Sequence, residues 1–480
     1  MESMFQSCSI VENLDLSGFK TTKVENMESM FFSMRKLTSL DLSAFETPRL
    51  KNMESMFRDM TVIQRIIFSE KFDTSSVTNM RYLFLQDKSL TSLDLSSFNT
   101  QNVADMNSMF LSCNSLTSLD LKNFNTKKVV NMNSLFEGCK ILSSLDISGF
   151  DTSSVTSLSS MFRDCALLTS LDLGHFDTSN VEYMSDMFYQ CSGLKSVNLN
   201  KFNLAKTVSL SAMFYGCYSL QILDLTSFDT SSVTSMKNMF DGCESLQTLK
   251  INKFKGTKVT NIAYMFSNCK LLTSLDLSEF ETPQLNFMEY IFQNCSSLRY
   301  LNIKKIDTVK IPFMINLFTN CSSLQELDIS HFDTSSSLNF FNMFANCSSL
   351  TSVNVSQWNS SKVMNMDGMF EGCIKMTSID LHNFNTEKTT TMNKMFKGCT
   401  QLEYLNVSNF NTEKVTNMDE MFNNIPKVKT LDLSSFNTTN CNRFNNIFEG
   451  NNNLNITIRK NLCSNILTGL PAGVEAIDVS

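Results

Sequence analysis

The chain is poor in most of what catalysis or nucleic-acid binding requires. It has 480 residues but only three histidines. His175, His331 and His382 lie several repeats apart, so a triad built on any of them needs unusual geometry. Charged residues make up 18%, below the ~25% typical of soluble domains. Acidic residues outnumber basic ones, 47 to 40, for a net charge of −7. Lysine pairs occur at Lys127-Lys128 and Lys304-Lys305, but no basic run follows either. Nucleic acid is therefore not an expected partner, since it calls for clustered Lys and Arg. No apolar run approaches the ~20 residues of a membrane span, and no signal-peptide pattern opens the chain. Glycine (14), proline (5) and tryptophan (1) are scarce. No phosphate loop, paired-cysteine motif or nucleophile elbow is present. An enzyme is not expected.

Phenylalanine (40) and methionine (30) are abundant instead. "MF" pairs and their variants place phenylalanine at 5, 31, 57, 84 and 110, and so on to 448, always 26 residues apart except for one interval of 27. The extra residue falls near Ser69–Lys71. Self-similarity at this period marks a solenoid, in which stacked units bury faces that none could bury alone.

Within a unit, Val129, Met132, Leu135, Phe136 and Cys139 are spaced 3, 3, 1 and 3. That spacing predicts one face of a helix of about eleven residues. Leu145 and Ile147 alternate around Asp146, which predicts a short strand. Thr47-Pro48 and Thr282-Pro283 occupy one repeat position and suit N-cap and N1. Two residues after the anchor phenylalanine, Gly or Asn occurs in eleven of eighteen repeats, as at Gly138 and Asn294, and suits a left-handed helix end. The expected fold is α/β, a leucine-rich-repeat-like solenoid of about 18 coils over residues 1–450. Each coil carries one short helix and one short parallel strand. A parallel β-helix is the disfavoured alternative. Residues 451–480 read as a divergent C-terminal cap or the start of a next region. Met1 falls in the register of Met27 and Met53, so the chain is expected to be part of a longer one or to stack on a partner.

The string LTSLDLSSFNTQNVADMNSMFLSCNSL at 90–116 resembles the BspA-type leucine-rich-repeat surface proteins, in the branch with 26-residue repeats known from mycoplasma surface proteins. The match recurs through roughly residues 1–450. It implies a secreted or surface-anchored protein that works by adhesion or protein binding, and it brings no catalytic residues.

Stacking turns each repeat position into a column. The residue between the two strand apolars points outward and gives Asp94, Asp120, Asp146, Asp172, Asp224, Asp276, Asp328 and Asp380. From Asp172 onward Asp alternates with Asn or Lys, a super-period of 52 residues. Neighbouring carboxylates ~5 Å apart are expected to raise one another's pKa. Two readings stand. The stripe binds cations such as Ca²⁺, which wants six to eight oxygens, or a basic partner; or it is a solvated face that keeps the strands soluble. Tyr300 and Tyr404 depart from the Ser background on this face and join the candidate binding residues for a protein or glycan ligand. Copies of the chain itself, stacked end to end, are the alternative partner.

Twelve cysteines from Cys113 to Cys399 form a column. One per coil gives no convergent tetrahedral metal set, and small buried thiols are the expected reading. Cys441 and Cys463 lie outside the column and are a disulfide candidate. Eight Asn-X-Ser/Thr sequons, at Asn294, Asn320, Asn346, Asn354, Asn359, Asn406, Asn437 and Asn455, are glycosylation candidates in a secreted eukaryotic chain. No metal site and no cofactor is otherwise expected.

Overall fold

The segment with helical spacing is a run of tight turns. In the computed structural model, which describes residues 1–468 and 470–479, Met106, Ser108, Phe110 and Ser112 donate their amides to Asn131, Asn133, Leu135 and Glu137 of the next coil, at 3.2, 2.8, 3.0 and 2.6 Å. The amides between them close local turns, Met109 to Met106, Leu111 to Ser108 and Cys113 to Phe110. An α-helix sends its amides along its own axis. Here every second amide crosses to a neighbour. Ser108 and Ser112 have φ of 53° and 61°, values that an α-helix excludes.

Three-residue turns and a helix produce the same apolar spacing. Val129, Met132, Leu135, Phe136 and Cys139 are all fully buried, so the predicted face is the core face although its backbone is not helical. The packing explains why. Parallel strands repeat at ~4.8 Å, and the anchor rings keep a similar step: Phe110 to Phe136 and Phe136 to Phe162 stack at 5.7 Å. A helix ~10 Å across does not fit that step. The fold is a β-solenoid with parallel strands, the alternative the sequence disfavoured. Among the described residues the helix is confined to Lys460–Cys463. Bridges run from Asn26 to Arg443 and close about 16 turns rather than 18. Phe5 and Phe448 lie outside those closed turns.

The chain forms two compact units, 1–233 and 234–480. In the first, Ser39–Leu42 pairs with Arg65–Phe68, Ser118–Asp120 with Ser144–Asp146, and Ser170–Asp172 with Ser196–Asn198, all parallel and in repeat register. In the second, Ser274–Asp276 pairs with Tyr300–Asn302 and Ser378–Asp380 with Tyr404–Asn406. The divergent segment extends this pattern: Leu454–Ile458 pairs with Thr430–Asp432 on one side and Val474–Asp478 on the other. Strands alternate as expected, with Leu119 inward and Ser118 and Asp120 outward.

The threonine position read as an N-cap at Thr47 and Thr282 has another task, seen also at Thr100 in the same repeat column. Thr100 Oγ1 donates to the Asn125 carbonyl at 3.0 Å and accepts the Asn125 amide at 2.8 Å. Its partner lies 25 residues on, not within its own turn. Thr47, likewise, donates to the Asp73 carbonyl. The glycines and asparagines after the anchor ring are left-handed as expected, Gly138 at 73° and Asn294 at 61°, but they belong to the run of tight turns within a coil and end no helix.

Candidate binding faces

The outward aspartates are turn caps. Asp94 Oδ1 accepts the Ser96 amide at 3.0 Å, and Asp146, Asp276 and Asp328 accept those of Ser148, Ser278 and Ser330 at 3.0, 2.9 and 3.1 Å. Asp120, Asp172, Asp224 and Asp380 cap Lys122, Gly174, Thr226 and His382 in the same way. Each carboxylate closes the turn that follows its strand, a task Asn shares: Asn354 Oδ1 accepts both the amide and the hydroxyl of Ser356.

Capping overrides the expected mutual repulsion. Hydrogen bonds from the hydroxyl and amide of Ser96 hold Asp94 below the usual carboxylate range, and Ser148 and Ser330 do the same for Asp146 and Asp328. The Lys122 side chain, then its amide, lowers Asp120, where the charge of Asp146 is the smallest influence. The Gly174 amide, then Asn198, lowers Asp172. Slight burial pushes Asp380 up, but the ring and amide of His382, with Asn406, bring it lower overall. The alternation of Asp with Asn thus has a local chemistry. Asn198 Nδ2 donates to Asp172 Oδ1 at 2.8 Å across one coil. The stripe is a row of carboxylates, each with one oxygen already engaged. Among the described residues no group of three or more His, Cys, Asp or Glu side chains is placed to hold a metal ion.

Two tyrosines stand out from this face. Tyr300 is 54% exposed and Tyr404 52%, in a column that is mostly serine. The face is interrupted at the 27-residue repeat, where Ile67 replaces the aspartate. There a cavity of about 450 Å³ opens between Arg65–Glu70 and Ser92–Ser97.

The sequons fall into two settings. Asn294, Asn320 and Asn346 form an amide ladder: Asn346 Nδ2 donates to Asn320, Asn320 to Asn294, and Asn294 to Asn268, at 2.9, 2.6 and 2.7 Å. In Asn354, Asn406, Asn359 and Asn437 the Oδ1 caps the residue two further on. Asn354, Asn359 and Asn455 are exposed, and Asn406 and Asn437 half-buried.

The cysteine column is fully buried. Along the run the thiols donate to the anchor-ring carbonyl of the preceding coil, as Cys139 does to Phe110 at 3.2 Å, Cys165 to Phe136 at 3.1 Å and Cys399 to Phe370 at 3.1 Å. Burial pushes the Cys139 thiol up to about 12. Cys441 and Cys463 are separate free thiols. The first donates to the Arg443 carbonyl and the second to that of Phe436. The histidines are also separate. His382 Nδ1 lies 2.9 Å from Asp380, and His175 Nε2 lies 3.1 Å from the Ile147 carbonyl.

The sequence reading missed one surface. The bridge column is mainly Asn, Asp, Ser and Thr. In the second unit it carries Phe287 and Phe313, which are 46% and 38% exposed, with Met364 beside it at 51%. Attention to breaks in the polar column, rather than to the strand face alone, finds these residues.

Among the described residues no helix is long and apolar enough to cross a membrane. The sequence profile of a family described as "Mycoplasma protein of unknown function, DUF285" matches in overlapping stretches, 1–71, 37–118, 61–144, 112–223, 208–301, 288–403 and 374–468. No curated protein matches the sequence. Among solved structures, a leucine-rich-repeat protein from Bacteroides ovatus is 17% identical, with 85% of this chain and 83% of that one covered and a TM-score of 0.37. One from Eubacterium ventriosum is 16% identical, covering 72% and 80% with a TM-score of 0.37. A leucine-rich cell surface protein from Faecalibacterium prausnitzii is 16% identical, covering 76% and 86% with a TM-score of 0.35.

Proposed function

We propose that this chain, which belongs to the DUF285 family of mycoplasma-type 26-residue repeat proteins, is a non-enzymatic binding protein that presents its strand face to a protein or glycan ligand at a cell surface. The observation that carries this reading is the pair Tyr300 and Tyr404. Each is more than half exposed, in a column that is mostly serine and beside a column that is mostly Asp and Asn. Exposed aromatics supply contact area at low entropic cost and dominate binding energy where they occur. Both lie in parallel strand pairs, so their backbone is already ordered before binding. Surface placement and adhesion rest on the resemblance to BspA-type proteins.

The test is binding of the purified chain to arrays of extracellular-matrix proteins and glycans, followed by the double variant Y300A/Y404A. A ligand captured by the wild type and weakened at least about tenfold in the variant is the expected result. A ligand bound equally by both moves the site elsewhere.

A further inference from the structure

Two charge stripes on the second unit share one period. Lys258, Lys310, Lys362 and Lys414 recur every 52 residues, just before the bridge column, and all four are exposed. Asp276, Asp328, Asp380 and Asp432 recur at the same interval on the strand face and are also exposed. In the intervening coils the first column holds Gln284 and Ser336, with Lys388 as an addition. The second holds Asn302, Asn354 and Asn406. The aspartate stripe therefore offers one charge per two coils, about 10 Å apart, and the lysine stripe does the same except where Lys388 fills the coil between Lys362 and Lys414. Among the described residues none of the four lysines is ion-paired within the chain. Lys310 Nζ donates to the Pro283 carbonyl and to Gln284 Oε1, at 3.1 and 3.0 Å. Exposed Phe287, Phe313 and Met364 lie near the lysines, and exposed Tyr300 and Tyr404 lie among the aspartates.

We infer that the lysine stripe of one molecule docks on the aspartate stripe of a second copy of this chain. A surface that satisfies the lysines must set anions ~10 Å apart along a ladder with aromatic surface between them. A second copy carries that spacing by construction, because both stripes are read from the same repeat. An unrelated acidic protein matches one or two of the charges, not the series. The apolar side chains of the lysine face are partly exposed and belong to a bridge ladder. None of them is more than about half exposed, which suits a protein surface better than insertion among lipids. The two faces differ, so the contact is heterologous and each bound copy keeps one face open. Association is lateral, through the sides of the coils, rather than end to end. It uses the strand face assigned above to ligand binding and would cover Tyr300 and Tyr404, but its failure leaves that assignment standing.

Sedimentation velocity of the full chain up to about 0.1 mM tests the inference, at low salt of about 0.05 M and at about 0.5 M, where charges are screened over a few ångströms. Two variants accompany the wild type. K258Q/K310Q/K362Q uses the glutamine found naturally at 284. D276N/D328N/D380N keeps the turn caps, as Asn354 does. The wild type is expected to form oligomers that grow with concentration and dissociate in salt. Each variant alone is expected to associate at least about tenfold more weakly. An equimolar mixture of the two is expected to give pairs and nothing larger, because each variant retains one intact stripe. A wild type that stays monomeric at low salt, variants that associate like the wild type, or a mixture without pairs would each overturn the inference. The salt series on the wild type stands whether or not the variants fold.

Discussion

The hydroxyl of Thr126 donates to the carbonyl of Asp151 at 2.8 Å and accepts the amide of the same residue at 2.8 Å. One buried side chain thus satisfies both backbone groups of a residue 25 positions away. The same clamp recurs between Thr74 and Asn99 and between Thr412 and Asn437. Leaving a buried amide and carbonyl unpaired costs about 1–3 kcal/mol each. Because Asp151 is exposed and both bonds are part-buried, the substitution T126V, similar in shape but without the hydroxyl, is expected to destabilise the chain by roughly 1–2 kcal/mol, and T126S by much less. Denaturant melts give the ranking. Hydrogen exchange adds the local test: the Asp151 amide loses protection in T126V and keeps it in T126S.

Asp87 stands in the cysteine column, wholly buried. Its Oδ1 accepts the Met60 amide at 2.9 Å, and its Oδ2 has no partner. Asn451 fills the matching position in the second unit, where Oδ1 accepts the Ile425 amide and Nδ2 donates to the carbonyls of Phe422 and Phe448. Burial, with the nearby charge of Asp59, raises the Asp87 carboxyl well above its ordinary range, against the opposing pull of the Met60 amide. The folded state therefore holds the proton more tightly than the unfolded state does. Stability from this group is greatest below the unfolded value of 3.8. It falls as pH rises from there toward the raised folded value. D87N supplies the amide seen at Asn451. Its melting temperature is expected to exceed that of the wild type at neutral pH, with a gap that narrows toward pH ~4. Parallel melting curves across that range would contradict the assignment.

The thiol column makes a prediction about reactivity. Burial pushes Cys139, Cys295 and Cys347 up to about 12, and thiolate is the reactive species. Cys8 is only half-buried. A thiol reagent added to the native chain at neutral pH is expected to label Cys8 first and to reach Cys113–Cys399 only on unfolding. Mass spectrometry of the labelled peptides reads the order. A reductant is expected to leave the melting transition in place, since the ladder is built of free thiols.

Gly138 has φ of 73°, and a Cβ placed there would lie 3.1 Å from Ser112 Oγ. G138A forces an alanine into the left-handed region against its neighbour. A loss of about 1 kcal/mol or more is expected in a denaturant melt. G138N, which copies the residue at 294, is expected to cost less.

Much of this architecture is legible in the sequence, and the misreadings share a cause. The 26-residue register, the inward face of Val129, Met132, Leu135 and Phe136, and the left-handed positions at Gly138 and Asn294 all follow from residue type and spacing. The helix does not. Turns closing every three residues place apolar side chains at helical intervals, and Ser108 and Ser112 adopt positive φ without the glycine that would announce it. Thr100 has the chemistry of an N-cap, but its partner lies a full coil away, and a single sequence does not display that distance. The aspartate stripe was visible as a row of charges. That Asp94, Asp120, Asp146, Asp172, Asp328 and Asp380 are lowered by hydrogen bonds rather than raised by their neighbours depends on a two-residue geometry that only the folded turn supplies. The apolar face around Phe287 and Phe313 was present in the sequence but lay outside the strand column on which attention fell.

Stacked turns, not helices, complete each coil and set the ladders on which both proposed surfaces rest. Far-ultraviolet circular dichroism of the purified chain tests this most directly. The account predicts a β-type spectrum with a single minimum and negligible helical signal. A double-minimum spectrum with helix in more than a third of the residues, as one helix per coil requires, would contradict it.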